Sequence, residues 1–271
     1  MVQWVLNPVC KRGIGVSEHI AIERDDGVLV IRIERPEKKN ALTAGMYGVM
    51  AEAMESAGAD PETRVILFTG SGGTFTAGND LGDFLENPPR SEESPVNRFI
   101  GQLVRTDLPL VAAVDGIAVG IGTTMLLHCD HVFASDTARF SLPFINLALV
   151  PEAGSSMLLA QACGYRKAAQ LLMLGEPFDA VEAKACGIVS RLCPAEDLLE
   201  TALWTARKLA AKPQAALRAT KHLMRRPAEP LAERVRAESE RFVRCLESEA
   251  AQEAFAAFLE KRQPDPEKLA R

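Results

Sequence analysis

Two glycine-containing turns are the segments of this chain whose residue types and spacing are best suited to chemistry. Residues 75–80 follow the apolar run 65–69, and residues 115–122 follow the apolar run 110–114. Glycine lets the main chain turn tightly and lets a ligand approach the backbone closely. Two such turns can direct two backbone N–H groups at one oxygen atom, which is how an anion formed during acyl chemistry is stabilised.

The second turn, which contains Gly120 and Gly122, is open to two other interpretations. A dinucleotide-binding fingerprint would need glycine or alanine where Met125 stands, and it would lie earlier in a βαβ unit. Close packing of a helix on a strand is the other alternative, and the segment taken alone slightly favours it. A helix that begins here still offers free N–H groups and the positive end of its dipole. Together with the turn at Asn79, the segment favours an oxyanion site.

The composition argues against several classes of protein. The 271 residues are 47% hydrophobic with a net charge of −5, which predicts a large core and argues against a nucleic-acid partner. No apolar run approaches the roughly 20 residues that cross a bilayer, and the first residues lack the apolar segment of a signal peptide. The six cysteines show no CxxC spacing, and the histidines do not join them at ligand spacing. We therefore expect reduced thiols, no metal site and a cytoplasmic location.

The apolar pattern predicts an α/β fold followed by a helical region. Strand signals alternate with helix signals up to about residue 193, which indicates layering with parallel strand pairing. Beyond this point only helical stretches are predicted, at 196–211, 213–226, 229–247 and 249–262. We therefore divide the chain into a core of residues 1–195 and a helical C-terminal region of residues 196–271. In the third helical stretch four apolar residues share one face, namely Leu231, Val235, Phe242 and Leu246.

Several motifs, taken in their order and spacing, resemble the enoyl-CoA hydratase/isomerase (crotonase) superfamily between about residues 20 and 262. These motifs are Arg35-Pro36, Asn40-Ala41-Leu42, the two glycine turns, Cys129-Asp130, the segment 140–156 and the segment 258–262. The resemblance implies a spiral of repeated ββα units with a helical C-terminal region used for trimer assembly. It also implies an acyl-coenzyme A thioester as the ligand and a homotrimer or a hexamer of two trimers. No separate cofactor is implied, because coenzyme A is part of the substrate.

The resemblance also implies a set of site residues. The backbone N–H groups of Asn79 and Ile121 match the family's oxyanion hole, and residues 38–41 match part of its coenzyme A site. Phe258 and Lys261 match positions that help to close this site, often from a neighbouring subunit. A solvated helix end accounts for Lys261 equally well. The predicted binding residues are Lys38, Asn40, Ala41, Ala77, Gly78, Asp80, Gly120, Gly122, Thr124, Phe144, Phe258 and Lys261.

Departures from the family pattern decide which reaction we expect. Hydratases of the family carry two glutamates, whose positions are occupied here by Thr124 and Phe144. Hydration needs one group that activates water and a group that delivers a proton to the α-carbon. A phenylalanine does neither, and a threonine hydroxyl is too weak a base near neutral pH. Ordinary two-glutamate hydration is therefore not expected.

One carboxylate remains in the same part of the chain. Residues 150–156 resemble the Pro-Glu-Gly-x-Ser-Ser-type segment of Δ3,Δ2-enoyl-CoA isomerases, in which the glutamate is the base, and here that residue is Glu152. A double-bond shift needs only one carboxylate. Without the resemblance, a surface glutamate at the start of a helix is the better interpretation. Apolar neighbours would raise the pKa of Glu152 and a nearby helix N-terminus would lower it, so the sequence leaves this pKa open.

The predicted function is therefore the shift of a carbon–carbon double bond in an enoyl-CoA, with Glu152 as the proton shuttle. Two alternatives stay open: a hydratase, and a coenzyme A thioester-binding protein that has lost its chemistry. The retained glycine turns and Glu152 oppose the second alternative. His128 and His131 are interpreted as packing or capping residues rather than as bases.

Overall fold

The computed structural model of the protein describes residues 18–269, so Cys10 lies outside the described part. The strands are β1 (Ile20–Asp25), β2 (Val28–Ile33), β3 (Val65–Gly70), β4 (Leu110–Val114), β5 (Ile117–Val119), β6 (His131–Ser135), β7 (Arg139–Ser141), β8 (Phe178–Asp179) and β9 (Arg191–Cys193). The helices are α1 (Ala44–Ala59), α2 (Leu81–Glu86), α3 (Pro95–Arg105), α4 (Ile121–Thr124), α5 (Ser155–Cys163), α6 (Tyr165–Leu174), α7 (Ala180–Ala185), α8 (Leu198–Ala210), α9 (Gln214–Met224), α10 (Leu231–Leu246), α11 (Glu249–Glu260) and α12 (Pro266–Leu269).

Six strands form the large sheet in the order β1-β2-β3-β4-β6-β9, and three form a small sheet in the order β5-β7-β8. In the large sheet β1 is antiparallel to β2, and the remaining neighbours are parallel. Pairs of strands followed by a helix recur as β1-β2-α1, β4-β5-α4 and β6-β7-α5. The predicted α/β fold of ββα units is thus confirmed.

The first ββα unit follows from local sequence chemistry. Asp26 and Gly27 both have positive φ values, +48° and +79°, which suits a tight hairpin between β1 and β2. The hydroxyl of Thr43 accepts the N–H of Met46 at 3.4 Å, so Thr43 caps α1. These two features place α1 against the sheet beside the first glycine turn.

The large sheet is covered on both faces, so successive residues along a strand pack alternately into one apolar cluster and the other. In β3, Ile66 and Phe68 belong to the cluster that includes α1 and α3. Val65 and Leu67 belong to the second cluster, which α8 completes with small and apolar side chains. The first helix after residue 195 is therefore a layer of the core, and the predicted boundary marks a change of secondary structure at that point.

A buried lysine fastens the C-terminal region to the core. The Lys221 ammonium donates to the carbonyl of Leu108 at 2.6 Å and to the carboxylate of Asp130 at 2.8 Å. Burial lowers the pKa of Lys221, and the carboxylate of Asp130 opposes this shift. Beyond α9 the chain is more open, and α10 buries none of its residues. Within residues 18–269 no helix is long and apolar enough to cross a membrane.

Candidate active site

The two glycine turns lie against each other, because the strands that lead into them, β3 and β4, are neighbours in the large sheet. The N–H of Thr76 donates to the carbonyl of Ile117 at 3.0 Å, and the N–H of Val119 donates to the carbonyl of Thr76 at 3.1 Å. A Cβ on Gly78 would lie 2.7 Å from the oxygen of Val119, and a Cβ on Gly122 would lie 2.5 Å from Cγ2 of Thr76. The close contact therefore requires glycine at both places.

Each turn presents a backbone N–H group that has no acceptor within residues 18–269. Leu42 bonds to the residues on either side of Asn79: its N–H donates to the carbonyl of Gly78 and its carbonyl accepts the N–H of Asp80, both at 2.8 Å. The N–H of Asn79 therefore points away from Leu42. Ile121 is the first residue of α4, where N–H groups have no partner within the helix. Among residues 18–269 neither N–H donates to a protein atom, and both remain predicted oxyanion donors.

Asp80 holds the first turn in place with its side chain. Its carboxylate accepts the N–H groups of Gly82 and Asp83 at 3.1 and 3.3 Å and so caps α2. The guanidinium of Arg35 donates to Asp80 at 2.8 Å and to the carbonyl of Ala41 at 3.0 Å. The hydrogen bond from Arg35, followed by that from the Asp83 N–H, lowers the pKa of Asp80. Asp80 thus shapes the turn from within the protein.

Asn40 also acts through the backbone around it. Its side-chain oxygen accepts the N–H of Arg35 at 2.8 Å, and its amide donates to the carbonyls of Ser71 and Thr74 at 3.0 and 2.6 Å. The residue is fully buried. Because all these polar groups are engaged with main chain, the side chain of Asn40 supports the loop, and the contact of this residue to coenzyme A stays a prediction.

Four further predicted coenzyme A residues lie in two places. Lys38 is exposed, and the N–H of Ala77 donates to the carbonyl of Lys39 at 2.9 Å, so this part of the loop borders the first turn. Phe258 and Lys261 lie at the end of α11, where Phe258 is 82% exposed and Lys261 has φ of +53°. In the part of the chain that the structure describes, no hydrogen bond or ion pair joins these two residues to the loop.

Glu152, which is half-buried, pairs with the buried Thr124 at the end of α4. The hydroxyl of Thr124 donates to Oε1 of Glu152, while Oε2 is buried and has no partner among the described residues. Burial raises the pKa of Glu152 to about 7, and the bond from Thr124 opposes the rise. The N–H of Thr124 donates to the carbonyl of Gly120, whose positive φ begins this helical turn. Desolvation therefore decides the pKa that the sequence left open.

The main chain on both sides of Glu152 is held firmly. Ser155 donates to the carbonyl of Glu152 through its N–H at 3.0 Å and its hydroxyl at 2.7 Å. Ala153 and Gly154 then turn the chain with φ values of +52° and +68°. Nε2 of His128 lies 2.8 Å from the carbonyl of Ala153, so this nitrogen carries the proton. His128 is buried, in keeping with the packing role we gave it.

Phe144 stands at the second of the two positions where the family's hydratases carry a glutamate. Its side chain is 8% exposed, and its carbonyl accepts the N–H groups of Leu147 and Leu149 at 3.0 and 2.9 Å. A phenyl ring has no group that can donate or accept a proton. The two positions that carry glutamates in hydratases are thus filled by a hydroxyl donor and a buried ring.

Tyr47 also borders this site, although no sequence motif pointed to it. Its hydroxyl donates to Oδ1 of Asn79 at 2.5 Å, and the residue is 1% exposed. The available signal was a tyrosine on the buried side of a capped helix, since a buried tyrosine hydroxyl usually has a hydrogen-bond partner. Sequence alone does not show that this partner is the turn residue Asn79.

Two links place Glu152 beside the pair of free N–H groups. Thr124, which bonds Glu152, ends the short helix that Ile121 begins. Tyr47, which bonds Asn79, also lies close to Glu152. Desolvation raises the pKa of Tyr47 well above its usual value, and the negative charge of Glu152 adds to this rise. A base with a raised pKa next to two free N–H groups is suited to removing a proton beside a carbonyl and holding the resulting enolate.

The fold and this geometry fit an enzyme that stabilises an enolate beside a carbonyl, and the comparison with known families gives the class. The family model described as enoyl-CoA hydratase/isomerase matches residues 23–268. The chain belongs to this family, which confirms the resemblance drawn from the motifs.

Relatives of the chain carry both hydratase and isomerase names. A probable enoyl-CoA hydratase of Mycobacterium tuberculosis is 35% identical over 250 residues, which cover 91% of this chain and 97% of the relative. Enoyl-CoA delta isomerase 2 of Rattus norvegicus is 38% identical over 217 residues, which cover 78% of this chain and 55% of the relative. A solved structure from Magnetospirillum magneticum AMB-1, described as a candidate enoyl-CoA hydratase/carnithine racemase, has a TM-score of 0.89 and 48% identity, covering 92% of this chain and 99% of that one.

Proposed function

We propose that this protein shifts the double bond of a 3-enoyl-CoA to the 2-position. The observation that carries the proposal is the half-buried Glu152, which has one oxygen bonded to Thr124 and the other buried without a partner in the described chain. This arrangement supplies one carboxylate that can accept and return a proton. The adjacent turns supply the free N–H groups of Asn79 and Ile121 for the thioester oxygen.

The proposed reaction has two proton transfers on one carboxylate. Glu152 removes a proton from C2 of the thioester, and the electron pair moves through the carbonyl to its oxygen. The N–H groups of Asn79 and Ile121 hold the resulting dienolate. The carboxyl group then returns the proton to C4, and the double bond forms between C2 and C3. Coenzyme A enters as part of the substrate, and the reaction uses no other cofactor.

Hydration is the second candidate, because relatives carry that name as well. It would need a second group to deliver or accept a proton at the next carbon. The hydroxyl of Thr124 is already a donor to Glu152, and Phe144 offers no such group.

The same two residues favour a third candidate, a thioester-binding protein without chemistry. A carboxylate with a raised pKa, however, has no evident use in binding alone.

The test compares a 3-enoyl-CoA with a 2-enoyl-CoA under the same conditions, with product analysis by chromatography. We expect conversion of the 3-enoyl-CoA to the 2-isomer and weak or absent addition of water to the 2-enoyl-CoA. Hydration as fast as isomerisation would overturn the assignment. Binding of both thioesters without conversion of either would support the loss of chemistry.

The pH dependence of isomerisation should report Glu152. Only the ionised carboxylate accepts a proton, and its pKa is about 7. We expect kcat/KM to rise by about tenfold per pH unit below this value and to level off above it. Burial lowers the pKa of His128 from its ordinary value, which moves it away from that of Glu152. A profile that is flat between about pH 6 and 8 would contradict the role of Glu152.

Assembly forms a further part of the proposal. On α10, Leu231 and Phe242 are 78% and 67% exposed, and Phe258 on α11 is exposed as well. Exposed apolar groups of this kind favour a protein interface, which supports a homotrimer or a hexamer in which Lys261 reaches a coenzyme A site. Light scattering at micromolar concentration should give a trimer or a hexamer, and a monomer would contradict this.

The cytoplasmic location inferred from the cysteines also remains a proposal.

A further inference from the structure

We propose that Tyr47 is a positioning residue for the oxyanion hole and acts through the side chain of Asn79. The inference rests on the proposed function, since the hole is assigned to the same reaction. Tyr47 is not a catalytic residue in this account, because its hydroxyl contacts Asn79 and is not assigned a contact to substrate.

The ring of Tyr47 is held rigidly within the core. Its centroid lies 5.6 Å from that of Phe99 on α3, and Phe99 in turn contacts Phe68 of β3 at 6.1 Å. All three side chains are buried to 1% exposure or less. Aromatic contacts of this kind fix the ring. The hydroxyl therefore has a defined position near the N-terminal end of α1, which begins close to Leu42.

The hydroxyl completes the attachment of residue 79. Leu42 bonds to the carbonyl of Gly78 and to the N–H of Asp80, which holds the peptide groups on both sides. Tyr47 holds the side chain through Oδ1. These contacts engage the peptide groups on either side of Asn79 and its side chain, while its own N–H has no acceptor among residues 18–269. The hydroxyl thereby limits rotation of the peptide that carries the oxyanion donor.

The electrostatic surroundings keep the hydroxyl a donor. Desolvation and the negative charge of Glu152 both hold the pKa of Tyr47 well above its usual value. The phenol therefore keeps its proton near neutral pH, where Glu152 ionises. The raised value also argues against Tyr47 as a base that exchanges protons with substrate.

The first experiment replaces only the hydroxyl, as Tyr47→Phe. We expect kcat for a 3-enoyl-CoA to fall by roughly tenfold to a hundredfold, because a small displacement of one donor weakens stabilisation of the enolate. KM and the midpoint of the pH profile should change little. Tyr165→Phe is the matched control, since Tyr165 is 78% exposed on α6, and it should leave turnover unchanged. Thermal melts should show that both variants are folded.

A double-mutant cycle shows whether the effect passes through Asn79. Asn79→Ala keeps the backbone N–H but removes the side chain, so it should lower kcat by a similar factor. If Tyr47 acts through this side chain, the double variant should be no slower than Asn79→Ala alone. Losses that multiply, wild-type kcat in Tyr47→Phe, or a shifted pH midpoint would overturn the inference.

A second readout separates this inference from the proposed function. Exchange of the C2 protons of a saturated acyl-CoA for deuterium needs the base and the oxyanion hole but no double-bond shift. If wild type exchanges these protons without isomerising a 3-enoyl-CoA, the proposed function fails, and slower exchange in Tyr47→Phe still supports the inference. If wild type does neither, both are overturned.

Discussion

Replacement of Glu152 by glutamine is expected to lower turnover of a 3-enoyl-CoA by roughly 10²–10⁴-fold, the range typical of a lost general base. Glutamine keeps the shape and can still accept the hydrogen bond from Thr124, but it cannot take a proton from C2. Affinity for the thioester should change little, because the turns proposed to hold the carbonyl are untouched. Steady-state kinetics together with calorimetric binding of a saturated acyl-CoA would measure the two effects separately.

The matched control is Glu176→Gln, since Glu176 is an exposed glutamate in the loop after α6. The turnover of the Glu176→Gln variant should equal that of the wild-type protein. Near-normal turnover in Glu152→Gln would show that another group carries the proton. A large loss of affinity with normal kcat would instead assign Glu152 to binding.

Gly78→Ala should be the most damaging change in the oxyanion turn. Gly78 has φ of +85°, and an added Cβ would meet the oxygen of Val119 at 2.7 Å. The Val119 oxygen belongs to the main chain of β5, and the N–H of Val119 donates to the carbonyl of Thr76. This part of β5 therefore cannot easily move away from the added methyl group. The turn must shift, and with it the N–H of Asn79. We expect kcat to fall by roughly 10²–10³-fold, as on loss of one oxyanion donor, with a lower melting temperature.

Gly58→Ala is the control for this prediction. Gly58 lies in α1, and an added Cβ there meets nothing within 4 Å, so turnover should be unchanged and stability equal or higher. Kinetics measured well below the melting temperature of Gly78→Ala would separate chemistry from unfolding. Full activity of a folded Gly78→Ala protein would exclude this turn as part of the oxyanion hole.

Much of the fold could be predicted because it depends on short-range patterns. The turn at Asp26 and Gly27, the cap at Thr43 and the apolar runs that became β3 and β4 are all visible in the sequence. The meeting of the two glycine turns follows from this, since they leave neighbouring parallel strands. The family resemblance rests on the same motifs and was confirmed by the match over residues 23–268.

The features that could not be predicted depend on long-range packing. The pKa of Glu152 was open because desolvation and a helix start act in opposite directions, and only the observed burial decides between them. Asn40 and Tyr47 have partners 31 or more residues away in sequence, at Ser71 and Asn79. A side chain's type says that it needs a partner, but the fold determines which partner it has.

Burial of Glu152 also couples the fold to the proton concentration. The pKa of this carboxyl is about 7 in the folded chain against an ordinary value of 4.5, so between these values the folded chain binds more protons here than the unfolded chain does. The contribution of this group to the free energy of unfolding is therefore fully present below pH 4.5 and is lost as the pH rises through about 7. The ionised form that would perform the chemistry is thus the form that the folded chain tolerates least, which sets activity and stability against each other at one residue.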